Sequence, residues 1–315
     1  MDMKTAVLAL FAALAAPTAI AQVQFVSLPE KQQYPEGVAV SGDHMFTASA
    51  DDGIVTRTNL RDGGVTVLAE PETLLPTGES GFPRMLGMKV DRWGRLWIAA
   101  GRTGKILVLD SDDGRLIKEM AVSASGSLLN DLVVTEDAAY VTDTLKPFLW
   151  RVPVSESAIG DPEPWIDFTG SALEYEAGRN LNGIALTSDG SGLLVIQMDK
   201  GVLFRIDLAT KEVAQVDTGD EDISGGDGLQ VHGDLLYLVR QPYAEVVTIR
   251  LASGDLSGEV VSRFGDPALL WPATAALSEN ALLVVNSQFD RRGEGEPQRP
   301  FSVAAIPLSA LRGER

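Results

Sequence analysis

Six short apolar runs along the chain open in the same way: EGVAV from Glu36, LGMKV from Leu86, NDLVV from Asn130, NGIAL from Asn182, DGLQV from Asp227 and ATAAL from Ala273. They recur every 44 to 52 residues, a spacing that points to a solenoid or a propeller. After each comes a polar turn and a second β-rich run: HMFTASA, RLWIAAG, AAYVTDT, GLLVIQM, LLYLVRQ and ALLVVNS. A third run follows, as in GIVTRTNL, GKILVLD, GVLFRIDL and FSVAAIPL. Gly/Asp turns such as DRWGR and SDGSG separate the runs, and no helical periodicity intervenes, so the units read as antiparallel meanders. Six such units predict an all-β, six-bladed β-propeller. The last unit has only three runs, and VQFVSLP (residues 23–29) is an unpaired strand near the N-terminus. Adding it to the final blade closes the ring and removes an open edge.

Residues 1–21 carry the marks of a signal peptide: Lys4, an apolar stretch over residues 6–16, and Ala19-Ile20-Ala21 as a small-x-small cleavage site. The stretch is short for a bilayer span and nothing later is longer. The expected product is exported, periplasmic or secreted, without membrane insertion after cleavage. Residues 22–315 then form a single propeller domain, since no composition shift divides them.

The chain is acidic, with net charge −18, which argues against nucleic acid as a partner. It has no cysteine, so disulfides and thiolate metal sites are excluded. His44 and His232 each precede a short polar turn, which argues against a histidine zinc site. There is no G-x-S-x-G elbow, Walker loop or strand-borne G-x-G-x-x-G.

The chemistry lies in the run openings. In a propeller the first strand of each blade lines the central channel, so equivalent positions converge at one mouth. Glu36, Asn130, Asn182 and Asp227 are oxygen donors in that phase, while Leu86 and Ala273 are not. Two carboxylates and two amides match Ca²⁺, which takes six to eight oxygens in irregular geometry. One divalent cation is therefore expected at the channel mouth. The second runs end near the same face, which nominates Arg102, Asp143, Gln197, Arg240 and Gln288 as substrate-binding residues. Strand alternation turns Asp131 away from the channel, toward a hydrogen bond between blades.

At these residues the chain resembles the gluconolactonase, or senescence marker protein (regucalcin-like), family of six-bladed propellers. PEGVAV, NGIALTSDG and GDGLQV resemble that family's Pro-Glu-Gly, Asn-Gly and Asp-Gly strands, and NDLVV resembles an opening shared with paraoxonases and phosphofluoridate hydrolases. The resemblance implies Glu36, Asn130, Asn182 and Asp227 as metal ligands. Leu128 stands where gluconolactonases carry an arginine that helps to hold a sugar lactone, and neither His44 nor His232 falls where paraoxonases place a histidine pair. WGRLWIA and LLNDLVVTEDAAYVTDT also resemble the royal jelly/yellow group, whose members are often binding proteins. Two functions follow as expectations. One is a calcium-dependent hydrolase of lactones or related esters, the metal polarising the carbonyl and Asp227 acting as general base or direct nucleophile. The other is a non-enzymatic propeller that binds a small-molecule ligand around a structural calcium ion.

Overall fold

A computed structural model describes residues 22–75 and 81–312. The signal-peptide segment, residues 1–21, lies outside the described residues. Six four-stranded antiparallel sheets are arranged as propeller blades, each running outward from an inner strand. Blade one is Pro35–Ser41, His44–Ser49, Val55–Asn59 and Val65–Ala69. The other inner strands are Met88–Val90, Leu129–Val134, Leu181–Leu186, Gly226–His232 and Pro272–Leu277.

The ring closes as the unpaired N-terminal run predicts. Gln24–Ser27 pairs antiparallel with Ser302–Pro307, Gln24 opposite Ala305, so chain segments from both ends share blade six. A short helix, Leu308–Leu311, then buries Leu308 and Leu311 against the blade-five/blade-six core. Alternation puts one side of each strand into the seam with the next blade. Trp97 and Val108 of blade two meet Leu132 and Trp150 of blade three, for example, and Met45 of blade one meets Val285 and Val303 of blade six.

The repeated opening dipeptides are not turns. In five blades the inner strand slips register across the opening pair, as between Pro35 and Val38 or Leu181 and Ile184. Such a bulge bends the strand and re-aims the side chain it carries. The glycine that follows three of the four donors is there for room. A Cβ on Gly37 would lie 2.1 Å from Leu86 O, and one on Gly183 2.2 Å from Asp227 O. One on Gly228 would lie 2.8 Å from Thr274 Cα. Each glycine thus lets the next blade's backbone approach the hub. Gly183→Ala is expected to destabilise the fold by about 1–3 kcal/mol through overpacking. Because the clash falls on Asp227's own carbonyl, it should also displace that donor. Denaturant unfolding beside Ca²⁺ titration checks both effects.

Candidate functional site

Four entry loops feed the bulged strand starts, and the bulges bring Glu36, Asn130, Asn182 and Asp227 to the floor of one cavity of about 300 Å³. All four are buried, at 3%, 7%, 5% and 4% exposure. Their commitments to other protein groups are few. The Asn130 amide nitrogen donates to Thr144 Oγ1 at 3.0 Å, which leaves its Oδ1 sealed from solvent without a partner. Glu36 accepts a hydrogen bond from Thr274, and its Oε2 is likewise sealed and unpartnered. Asn182 donates to Met198 Sδ at 3.1 Å and to Asp227. An orphaned carboxylate oxygen and an orphaned amide oxygen, with a second carboxylate on the same floor, are costly to bury unless something positive binds them.

The electrostatics agree. Burial pushes the Glu36 carboxyl well above the usual carboxylate range, and the charges of Asp227 and Asp131 push it further. Burial, then Asp131, raises Asp227 to about 7, against weaker pulls from Arg179 and Asn182. Asp131 is raised too, by burial. Its carboxylate accepts N–H bonds from Leu132 at 2.8 Å and, across the blade seam, from Ile184 at 3.4 Å. The bond between blades is therefore present, yet its charge still acts on both floor carboxylates. Between about pH 4, where an unfolded Asp titrates, and about pH 7, the metal-free folded protein holds protons that the unfolded chain has released. Its stability should therefore fall as pH rises through that window. Thermal melts in chelator from pH 4.5 to 8 test this, and the slope should flatten in Asp227→Asn.

Above the floor the wall is apolar: Phe82, Pro83, Leu86, Leu128, Leu145 and Phe289. Phe82 and Phe289 meet edge-to-face at 4.9 Å. Arg102, Arg179, Met198 and Gln241 complete the lining. Arg179 Nε is held by Asp199 Oδ1 at 3.0 Å and Arg102 Nε donates to Phe82 O at 3.1 Å, so both guanidiniums keep free N–H edges.

The described fold superposes on known propellers at low sequence identity. It matches the crystal structure of the major Malassezia sympodialis allergen Mala s 1 over 94% of this chain and 99% of that one, with TM-score 0.69 and 13% identity. Virginiamycin B lyase from Staphylococcus aureus matches over 91% and 99%, with TM-score 0.59 and 14% identity. The PQQ-bound aldose sugar dehydrogenase from Streptomyces coelicolor matches over 90% and 98%, with TM-score 0.60 and 15% identity. No protein-family model and no curated protein sequence matches the chain. The shared feature is the six-bladed propeller. An allergen, a lyase and a dehydrogenase leave the activity open.

Of the five expected substrate-binding residues, the structure puts only Arg102 in the cavity lining. Asp143, Gln197 and Arg240 end second strands, one strand out from the channel, and their side chains brace the loops that enter the inner strands. Asp143 Oδ1 accepts from Leu128 N at 3.0 Å, and its Oδ2 from the Trp150 indole at 3.2 Å. Gln197 Nε2 donates to Glu174 O and Asn180 Oδ1. Arg240 Nε donates to Ser224 O at 2.7 Å, and its guanidinium pairs with Asp222 and Glu245. Ser49 and Asn286 do the same for blades one and six, reaching Gln33 O and Ala268 O. Gln288 has a left-handed backbone and binds both backbone groups of Gln298 in a separate pocket beside Trp271.

His44 and His232 lie at the hairpin ends of blades one and five, at the other mouth of the channel. Among the described residues no group of three or more His, Cys, Asp or Glu is spaced for a metal, so the donor set here depends on its two amides. Arg179, Gln241, Met198 and Thr274 are site residues that the sequence reading does not nominate. Thr274 replaces glycine in the sixth opening, and Met198 and Gln241 end the second runs of blades four and five, one residue beyond Gln197 and Arg240.

Proposed function

We propose that this chain is a divalent-cation-dependent hydrolase of lactones or related esters, with calcium held by Glu36, Asn130, Asn182 and Asp227. The observation that carries the reading is the pair of sealed, unpartnered oxygens, Glu36 Oε2 and Asn130 Oδ1, on the same cavity floor as Asn182 and Asp227. All-oxygen donors with two carboxylates suit a hard cation of flexible geometry. When bound, such a cation supplies Lewis acidity toward a carbonyl oxygen.

The chain's own residues supply the rest. Asp227 accepts a proton from the attacking water on its carboxylate and passes it to the leaving alkoxide as the acyl C–O bond breaks. The phenyl and leucyl wall takes an apolar acyl chain and keeps bulk water from the floor. Arg102 and Arg179 face a carboxylate, the group that ester or lactone opening releases. The wall offers few donors or acceptors to a polyhydroxylated sugar, and Leu128 contributes to it. The substrate class is thus an apolar-chain lactone or ester, which fits the resemblance to gluconolactonases in its metal ligands but not in its sugar contacts.

A second reading has its own support: apart from the floor carboxylates, no lining residue can act as a base. On that reading the propeller is exported to bind a small apolar anion around a structural calcium ion. Purified mature protein assayed on lactones and aryl esters of graded chain length separates the two. Hydrolysis that stops with chelator and returns with Ca²⁺ supports the enzyme. Absence of turnover on the whole panel, with chelator-sensitive binding of a medium-chain carboxylate, supports the binder.

A further inference from the structure

The far mouth of the channel opens into a second cavity, of about 410 Å³, rimmed by the last residues of the six apolar runs, Val40, Val90, Val134, Leu186, Val231 and Leu277. Lys89 interrupts this apolar ring from the shortest inner strand, Met88–Val90. Its stem lines the cavity, but its ammonium does not reach solvent. Nζ is sealed and has no hydrogen-bond partner. A buried ammonium without a partner is more expensive than an orphaned amide oxygen such as Asn130 Oδ1. What faces it is negative: Lys89 is the cation that acts on both Glu36 and Asp131. Arg179 is the cation that acts on Asp227, but it sits half-exposed at the cavity and is already paired with Asp199.

We propose that Lys89 is a built-in counter-ion that sets the charge of the hub, and with it the affinity and valence preference of the metal site. Glu36 and Asp227 place two carboxylates on the cavity floor, Asp131 adds a third from the blade seam within electrostatic reach of both, and Lys89 adds one ammonium. Two negative charges are left over, which a single divalent ion neutralises. Burying a neutral cluster costs far less than burying a charged one. A hub without Lys89 carries three negative charges and suits a trivalent ion better. The inference rests on the metal reading above and extends it to a residue that neither lines the substrate cavity nor supplies a ligand.

The test is calorimetric titration of chelator-stripped mature protein with Ca²⁺ and, separately, with Tb³⁺. Wild type is expected to bind one Ca²⁺. Lys89→Met, near-isosteric and uncharged, should bind Ca²⁺ about tenfold or more tightly, since each unit of buried charge within reach of a divalent ion is worth at least that. Its gain for Tb³⁺ should be larger still, because the Coulomb energy scales with the ion's charge. Lys89→Arg keeps the charge and should keep the wild-type ratio of the two ions. Asp131→Asn should weaken Ca²⁺, and the double variant with Lys89→Met should return to near the wild-type affinity. Wild-type affinity in Lys89→Met, while wild type itself binds Ca²⁺, overturns the role of Lys89 and leaves the metal site standing. No binding of Ca²⁺ by wild type overturns both. Should Lys89→Met fail to fold, Asp131→Asn decides: unchanged Ca²⁺ affinity there contradicts the charge balance.

Discussion

Asp227→Asn should lower turnover of the best lactone or ester by at least about a hundredfold at saturating Ca²⁺, the usual range for loss of a general base. The amide keeps an oxygen for the cation and keeps the side chain's size, so the bulged start of Gly226–His232 has no reason to move. It cannot accept a proton at neutral pH. Calcium affinity should fall by far less than turnover, through the loss of one charge. Steady-state kinetics and calcium titration on the same preparation separate the two effects. Glu36→Gln gives the contrasting pattern, because Glu36 holds Thr274 and presents Oε2 to the floor: affinity should suffer first and turnover should recover as calcium is raised. Full activity in Asp227→Asn removes that carboxylate from the chemistry.

Chelation should lower the melting temperature by about 5 °C or more. A ligand at a hundred times its dissociation constant adds about 2.7 kcal/mol to stability, and a domain of this size shifts by roughly 2 °C per kcal/mol. The effect should grow with pH. Glu36 and Asp227 are both raised by burial and by neighbouring carboxylates, so at pH 8 the stripped hub is forced to hold charges that it can neutralise by protonation at pH 5. Calcium relieves that repulsion, so the gap between stripped and loaded melts is expected to be widest at alkaline pH. An equal gap at pH 5 and pH 8 would mean that the cation binds away from these carboxylates.

Much of this was legible from the repeat. Equivalent phase predicted six blades, closure by residues 23–29, and the meeting of four donors from blades one, three, four and five, because a closed ring leaves equivalent positions nowhere else to go. The same reasoning failed one strand further out. Asp143, Gln197 and Arg240 recur as regularly as the donors, but without a bulge to swing them inward they bind the loops beside them. Regularity alone does not separate site from scaffold. The Gly after Glu36, Asn182 and Asp227 has the look of a turn in the sequence. Its true reason, a neighbouring backbone 2.1 to 2.8 Å from where a Cβ would sit, exists only in three dimensions. Met198 and Gln241 close the second runs of blades four and five, one residue beyond Gln197 and Arg240, whereas Arg179 comes from a connection that no period marks. Lys89 has the appearance of a solvated lysine at the end of a run, and only the sealed Nζ reveals its position.

The most direct test of the central claim is a crystal structure of the mature protein grown in calcium. The account predicts one strong peak on the channel axis with oxygens of Glu36, Asn130, Asn182 and Asp227 all at about 2.3–2.6 Å from it. A hub in which those oxygens bind water or one another at millimolar calcium, with no cation among them, would contradict it.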